Sequence, residues 1–231
     1  MTEPTASARA SRAARAPDPA DLLPPEVWHQ PMPSSLHALI LAYLLSAFRW
    51  VLRDRDACVE MDMAIQYDEA DGRRHVMPDI LVALAAPARV GERRSFPIWV
   101  EKVTPDLIVE IASESTVARD VGDKRALYEA RLGIREYVVF DPEGEWLDPR
   151  LRIFRRRGRD LVEVRDLRLD VPIPLETVEA DLVIDGTRLR LRDRASGEVI
   201  RELEEANAEL ARRDAELAAL REELRRLRGD S

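Results

Sequence analysis

Three periodicities divide the chain. Leu36, Ile40, Tyr43, Leu44 and Phe48 recur at helical spacing behind Pro33-Ser34-Ser35, where Ser34 or Ser35 can cap the first turn. That spacing predicts a helix ending near Arg53-Asp54. A two-residue alternation then takes over. Ala57 to Ile65, a turn at Asp71-Gly72, and His75 to Leu84 read as strand, turn, strand. Pro78 cannot donate to a sheet ladder and belongs at a strand start or edge, which puts Asp79 at a rim. The polar stretch 86–97 predicts a mobile loop. From Leu107 to Ile111 the run is apolar except for Glu110, as expected of a strand buried on both faces.

Ser113 or Ser115 leads into a predicted helix from Asp120 to Arg131, stopped by Gly133. Lys124 and Tyr128 share one of its faces, and Leu127 and Ala130 supply the buried side. Ile134 to Phe140 is another apolar strand, closed by Asp141-Pro142. Strand, helix, strand in this order implies a right-handed crossover in a mixed sheet. Leu151 to Arg155 and Leu161 to Arg165 flank Arg156-Arg157-Gly158-Arg159 and predict a hairpin, and short strands over 182–184 and 187–191 complete the domain. From Glu198 to Arg228 the period becomes seven. Leu203, Leu210, Leu217 and Leu224 hold the d positions, while Ile200, Asn207, Asp214 and Arg221 hold the a positions. Leu220 and Leu227 widen the stripe. This is a coiled-coil pattern with a polar seam, and self-association into a homodimer is the expectation. A lone helix packing back on the domain is the alternative.

Composition sharpens the picture in a few places. Residues 1–20 are small, polar and proline-broken, and predict a disordered tail, leaving 21–192 as the folded domain and 198–228 as the coiled-coil helix. Arg9, Arg12 and Arg15 read as charges of a solvated tail. The net charge of −8 excludes nucleic-acid binding through bulk electrostatics, so any such contact needs a local basic patch. Arg155, Arg156, Arg157 and Arg159 of the hairpin are the one dense candidate, with a solvated turn as the alternative. A single cysteine, Cys58, excludes an internal disulfide framework and a cysteine-based zinc site. His29, His37 and His75 show no metal-ligand spacing, and His37 reads as a partly exposed structural histidine. No apolar run reaches about 18 residues, and the N-terminus has no apolar signal core, so a cytoplasmic protein away from membranes is expected.

A carboxylate inside an apolar strand is costly unless it is paired or metal-bound, which makes Glu110 the most informative residue. An edge position facing water is the other possibility. Phosphodiester hydrolysis needs a metal to polarise the phosphoryl oxygen and activate water. Magnesium, or manganese in its place, takes oxygen ligands, commonly one or two carboxylates plus waters. Asp79 and Glu110 on adjacent strands would fill that role, with the main-chain carbonyl of Ile111 as a further oxygen. Lys124 would orient the water or stabilise phosphoryl charge, and Tyr128 could hydrogen-bond nearby. An Asp, a Glu and a Lys at loose spacing is by itself a weak signal in a chain with 35% charged residues.

Four pieces in order carry more. Pro78-Asp79, Pro105-Asp106-Leu107-Ile108-Val109-Glu110-Ile111, Lys124-Arg125-Ala126-Leu127-Tyr128 and Gly133 through Pro142 together resemble the Uma-two family, grouped with restriction endonucleases in the PD-(D/E)XK nuclease superfamily. The resemblance covers roughly residues 22–192. It implies a restriction-endonuclease-like α/β fold, a mixed sheet flanked by helices, with a magnesium site and DNA as partner. By motif, Asp79 and Glu110 match the acidic pair and Lys124 the lysine on the following helix. The superfamily lysine two residues after the glutamate is here Ala112, and the family's Ser-Pro-Ser is Ser113-Glu114-Ser115. Asp106 makes a second Pro-Asp pair, but it lies roughly 13 Å along the strand from Glu110, too far to share a metal. These departures keep open a catalytically inactive nuclease-fold module that binds DNA or protein, and a dimerising scaffold in which buried Glu110 merely pairs with a lysine.

Overall fold

The computed structural model describes residues 35–86 and 93–229, and the side chain of Leu227 is outside that description. The chain divides into two compact units, Met1–Pro33 and Ser34–Ser231, and all described residues belong to the second. The expected disordered tail over 1–20 and the Ser34 cap lie outside the described residues.

The fold is mixed α/β, as expected. Helix α1 (Ser35–Val51) buries Ile40, Leu41, Tyr43, Leu44, Ala47 and Phe48, the stripe its periodicity defines. The strands follow as β1 (Ala57–Met61), β2 (Ile65–Gln66), β3 (His75–Val76), β4 (Ile80–Leu84) and β5 (Phe96–Pro97). The one-turn helix α2 (Ile98–Glu101) and β6 (Leu107–Ile111) come next. A continuous helical run, α3, occupies 117–132. It alternates α turns at Val117–Arg119 and Arg125–Leu127 with wider π turns at Asp120–Lys124 and Tyr128–Leu132. Strands β7 (Glu136–Phe140), β8 (Leu151–Arg157), β9 (Asp160–Glu163), β10 (Ile173–Pro174), β11 (Ala180–Asp185) and β12 (Arg188–Asp193) precede the terminal helix α4 (Leu203–Arg228).

Six strands form the main sheet in the order β1-β4-β6-β7-β8-β9. Within this sheet only β6 and β7 pair in parallel, bridged by α3, and their register sets Glu110 opposite Val139. The predicted crossover is thus present. The predicted strand from Ala57 to Ile65 is interrupted. Asp62 adopts φ 49°, turning the chain out of β1, so that β2 and β3 leave the main sheet and pair with each other and with β5. The stretch expected to be a loop over 86–97 contains β5, whose Phe96 is buried, while residues 87–92 lie outside the described residues.

Alternation along the central strands separates two cores. Leu107, Val109 and Ile111 face the side covered by α1 and the β10-β11-β12 sheet. Ile108 and Ala112 face the side lined by Tyr128, Leu132, Tyr137 and Val139. Even-numbered Glu110 belongs to this second side and has no solvent exposure, so the edge alternative is overturned. On α3 the buried positions are Asp120, Tyr128 and Leu132; Ala130, expected inside, is exposed, and Leu127 is half-buried. The wide turns rotate the helix face away from simple 3.6-residue spacing.

The root of α4 is tied to the domain. Tyr43 Oη donates to the Ile200 carbonyl at 2.9 Å and accepts from Leu191 N at 3.0 Å. Arg190 reaches Glu205 at 3.0 Å, and Glu202 and Glu205 form a capping box. Beyond this turn Leu210, Leu217, Leu220 and Leu224 are each about half exposed or more, so the helix does not fold its stripe back onto the domain.

Candidate active site

Asp79, immediately before β4, and Glu110, near the end of β6, extend the antiparallel register that pairs Ile80 with Val109. Pro78 ends the ladder there, and the backbone binds the two acids together. Asp79 N donates to Glu110 Oε2 at 3.3 Å, and Ile111 N donates to Asp79 Oδ2 at 2.6 Å. From α3, Lys124 Nζ approaches Glu110 Oε2 at 2.8 Å and Asp120 Oδ1 at 3.0 Å. One turn on, Tyr128 Oη donates to Glu110 Oε1 at 2.7 Å. The structure therefore brings Asp79, Glu110, Ile111, Lys124 and Tyr128 together.

Two neighbours were not read from the sequence as site residues. Asp120 is buried, pairs with Lys124, and has its backbone carbonyl fixed by Tyr137 Oη at 2.9 Å. Its i,i+4 spacing to Lys124 was the available signal. His37, expected to be a structural histidine, sets Nε2 3.7 Å from Asp79 Oδ1. Nothing in the sequence pattern relates the first turn of α1 to β4. Asp106 lies apart, accepting from Leu84 N at 2.7 Å and facing Arg135 at 3.6 Å, a clip between strand ends.

The electrostatics follow from crowding acids in a dry site. Burial pushes the Glu110 carboxyl up to about 8, reinforced by Asp79 and opposed by Lys124. Asp79 is raised by burial, against the Ile111 N–H, His37 and Lys124. Burial alone would lower Lys124, but Glu110 and Asp120 hold its ammonium above the ordinary lysine value. Burial and the adjacent Glu110 keep the Tyr128 phenol protonated far past its usual range, so its O–H stays available to donate to Glu110.

The donor set suits a hard cation. Asp79 and Glu110 are oxygen ligands, and two carboxylates suffice for magnesium when water completes the shell. Asp120 Oδ1 is buried with the Lys124 ammonium as its partner at 3.0 Å. Among the described residues no group of three or more His, Cys, Asp or Glu side chains is disposed to hold a metal. The site therefore fits a cation held by two carboxylates and not a preformed cage, with Lys124 beside the same oxygen of Glu110.

The hairpin arginines are largely engaged. Arg155 Nε donates to buried Glu136 at 3.0 Å, where Thr177 Oγ1 donates at 2.9 Å. Arg156 reaches the carbonyls of Ile134, Arg159 and Glu129, and Arg157 forms a two-pronged pair with Glu176 at 2.8 and 3.0 Å. A nucleic-acid contact by Arg155 or Arg156 would have to break bonds that hold β8 to its neighbours. Arg157 and Arg159 are exposed.

The family model whose description reads "Putative restriction endonuclease", Uma2, matches residues 20–188. This chain belongs to the Uma2 (Uma-two) family. Its membership supports a nuclease function and spans every residue of the site above. Among curated proteins none matches the chain. A crystal structure from Anabaena variabilis, described as a putative nuclease belonging to DUF820, is similar at 18% identity over 64% of this chain and 76% of that one, with a TM-score of 0.47. Among the described residues no helix is long and apolar enough to cross a membrane.

Proposed function

We propose that this Uma2 protein is an endonuclease that hydrolyses DNA phosphodiester bonds with a bound magnesium or manganese ion. The observation that carries the proposal is fully buried Glu110, gripped by Lys124 and Tyr128 and joined to Asp79 through two backbone N–H groups. Burial and neighbouring Asp79 raise this carboxyl to about 8 even with Lys124 beside it, so a further cation would favour its charged form. Asp79, Glu110 and the Ile111 carbonyl would hold the ion, which when bound lowers the pKa of water and polarises the phosphoryl oxygen. Lys124 sits where it can orient the attacking water or neutralise a phosphoryl oxygen, with Asp120 fixing its position. Tyr128 locks the Glu110 rotamer. The DNA backbone would approach along the exposed Arg157 and Arg159 turn, and the protein would act as a homodimer through α4.

Cleavage of supercoiled plasmid with magnesium or manganese tests the reading. Activity in wild type that is lost in Glu110→Ala and Lys124→Ala supports it; equal behaviour of wild type and Glu110→Ala sinks it. A second reading, a catalytically inactive nuclease-fold module, is favoured by one observation. Lys124 already neutralises the Glu110 oxygen nearest Asp79. Calorimetry separates the two, because the inactive module binds DNA without taking up the metal.

A further inference from the structure

We infer that α4 pairs with the α4 of a second copy of this chain in antiparallel orientation, in the register that overlaps Leu203–Arg228 end to end. The inference rests on the homodimer proposed above and adds its geometry. Exposed Leu210, Leu217 and Leu224 mark the seam, and the a positions between them are Asn207, Asp214 and Arg221. Among the described residues neither Asp214 nor Arg221 has an ion pair within its own chain, whereas Glu209 and Glu222 satisfy Arg212, Arg213, Arg225 and Arg226 along the helix. The two seam charges are thus available to a partner helix.

Orientation decides what they meet. In a parallel pair each a residue faces its own copy, so Asp214 would oppose Asp214 and Arg221 would oppose Arg221, two like-charge layers in the seam. The flanking positions offer no relief, because Arg213 would face Ala218 and Leu220 would face Arg225. An antiparallel pair places a opposite d. In the end-to-end register Asp214 lies against the partner's Leu217, and Arg221 against the partner's Leu210. The partner's Arg221 then stands about four residues, roughly 6 Å, along the axis from Asp214, within reach of an arginine. One flank improves too, while on the other Arg213 would face the partner's Leu220. Glu204 faces the partner's Arg225, and Ala211 faces the partner's Ala218. Registers that match a to d recur every seven residues, and this is the one among them that overlaps the whole helix.

Sedimentation and cysteine cross-linking of the full chain test this in two steps. Wild type sediments as a dimer at tens of micromolar, and Leu217→Asp sediments as a monomer with unchanged circular dichroism of the domain. Mixing chains carrying Ala211→Cys with chains carrying Ala218→Cys yields a disulfide-linked dimer on oxidation. Leu210→Cys alone yields none, since the two copies lie about 16 Å apart along the axis. Wild type, with only buried Cys58, sets the background. A monomer throughout removes the homodimer itself. A dimer in which Leu210→Cys links to itself, or in which the mixed pair fails to link, overturns the antiparallel register while leaving the homodimer intact.

Discussion

Glu110→Gln separates the electrostatics of the site from its chemistry. Gln keeps the shape and can still accept from Tyr128, while Lys124 retains Asp120 at 3.0 Å. In the wild type the Glu110 carboxyl rises from its ordinary 4.5 to about 8, first because it is buried and then because Asp79 is near. An acid with a raised folded-state pKa favours folding while protonated. Its contribution is fully present below pH 4.5 and is lost as pH rises through 8. A shift of about 3.5 units at 1.36 kcal/mol each sets a ceiling of about 5 kcal/mol. Urea unfolding followed by tryptophan fluorescence, at pH steps from 5 to 9 in EDTA, measures it. Wild type should lose up to that amount relative to Glu110→Gln across the window. Two curves that run parallel would refute the reasoning, because Glu110 would then titrate alike in folded and unfolded chains.

The same pair of proteins reports on the ion without any turnover. A cation held by Glu110 binds the deprotonated form, so at pH 8 magnesium at ten times its dissociation constant should stabilise wild type by about 1.4 kcal/mol. Glu110→Gln should gain much less. Equal stabilisation of both would place the ion elsewhere.

Three further outcomes follow from particular contacts. Asp141 accepts from the N–H groups of Glu143, Gly144, Trp146 and Leu147, which hold its carboxyl below the usual range despite burial. Asp141→Ala should cost about 3 kcal/mol at pH 7 in chemical denaturation, and the wild-type advantage should fade as pH falls through the depressed pKa. Glu136→Ala removes the buried partner of half-buried Arg155, leaving it Glu176 at 3.2 Å, and frees the N–H groups of Glu176 and Thr177 in a buried setting. A loss of about 3–5 kcal/mol is expected by thermal unfolding. Arg156→Ala should lower the melting temperature through its three lost carbonyl bonds, while Arg159→Ala leaves it unchanged and reduces the salt dependence of DNA binding by about one ion.

What was legible in the sequence was whatever a single period encodes. The stripe of α1, the buried run of β6, the Gly133 stop (φ 62°) and the β8–β9 hairpin all follow from local spacing, and all are present. The β2-β3-β5 sheet was not, because Asp62 leaves its strand through a backbone conformation that an aspartate adopts only in context. The hairpin arginines showed the same limit. Six of them from Arg150 to Arg159 look like one patch in the sequence, yet the acids and carbonyls that occupy them come from as far away as Glu176. The site itself divides the same way. Lys124 and Tyr128 were readable as one helical face, but His37 reaches Asp79 from another core layer.

Asp120 defines where the helix-borne Lys124 sits. Ala112 stands two residues after Glu110 and points to the same side of β6, so a lysine there would rise from the strand beside the acid. On α3 the ammonium must instead be carried across the gap between helix and sheet. That position is defined only if something on the helix pulls it down, and Asp120 does so one turn earlier, with its own carbonyl held by Tyr137. A lysine carried on the helix therefore needs an acid partner that a strand lysine would not. Asp120→Asn, which keeps the shape and loses the charge, should lower the Lys124 pKa and loosen its grip on Glu110. Nitrogen-15 NMR of the lysine side chain, across a pH titration in the folded protein, would read that shift directly. An unchanged Lys124 titration in Asp120→Asn would mean that Glu110 alone sets the ammonium's place.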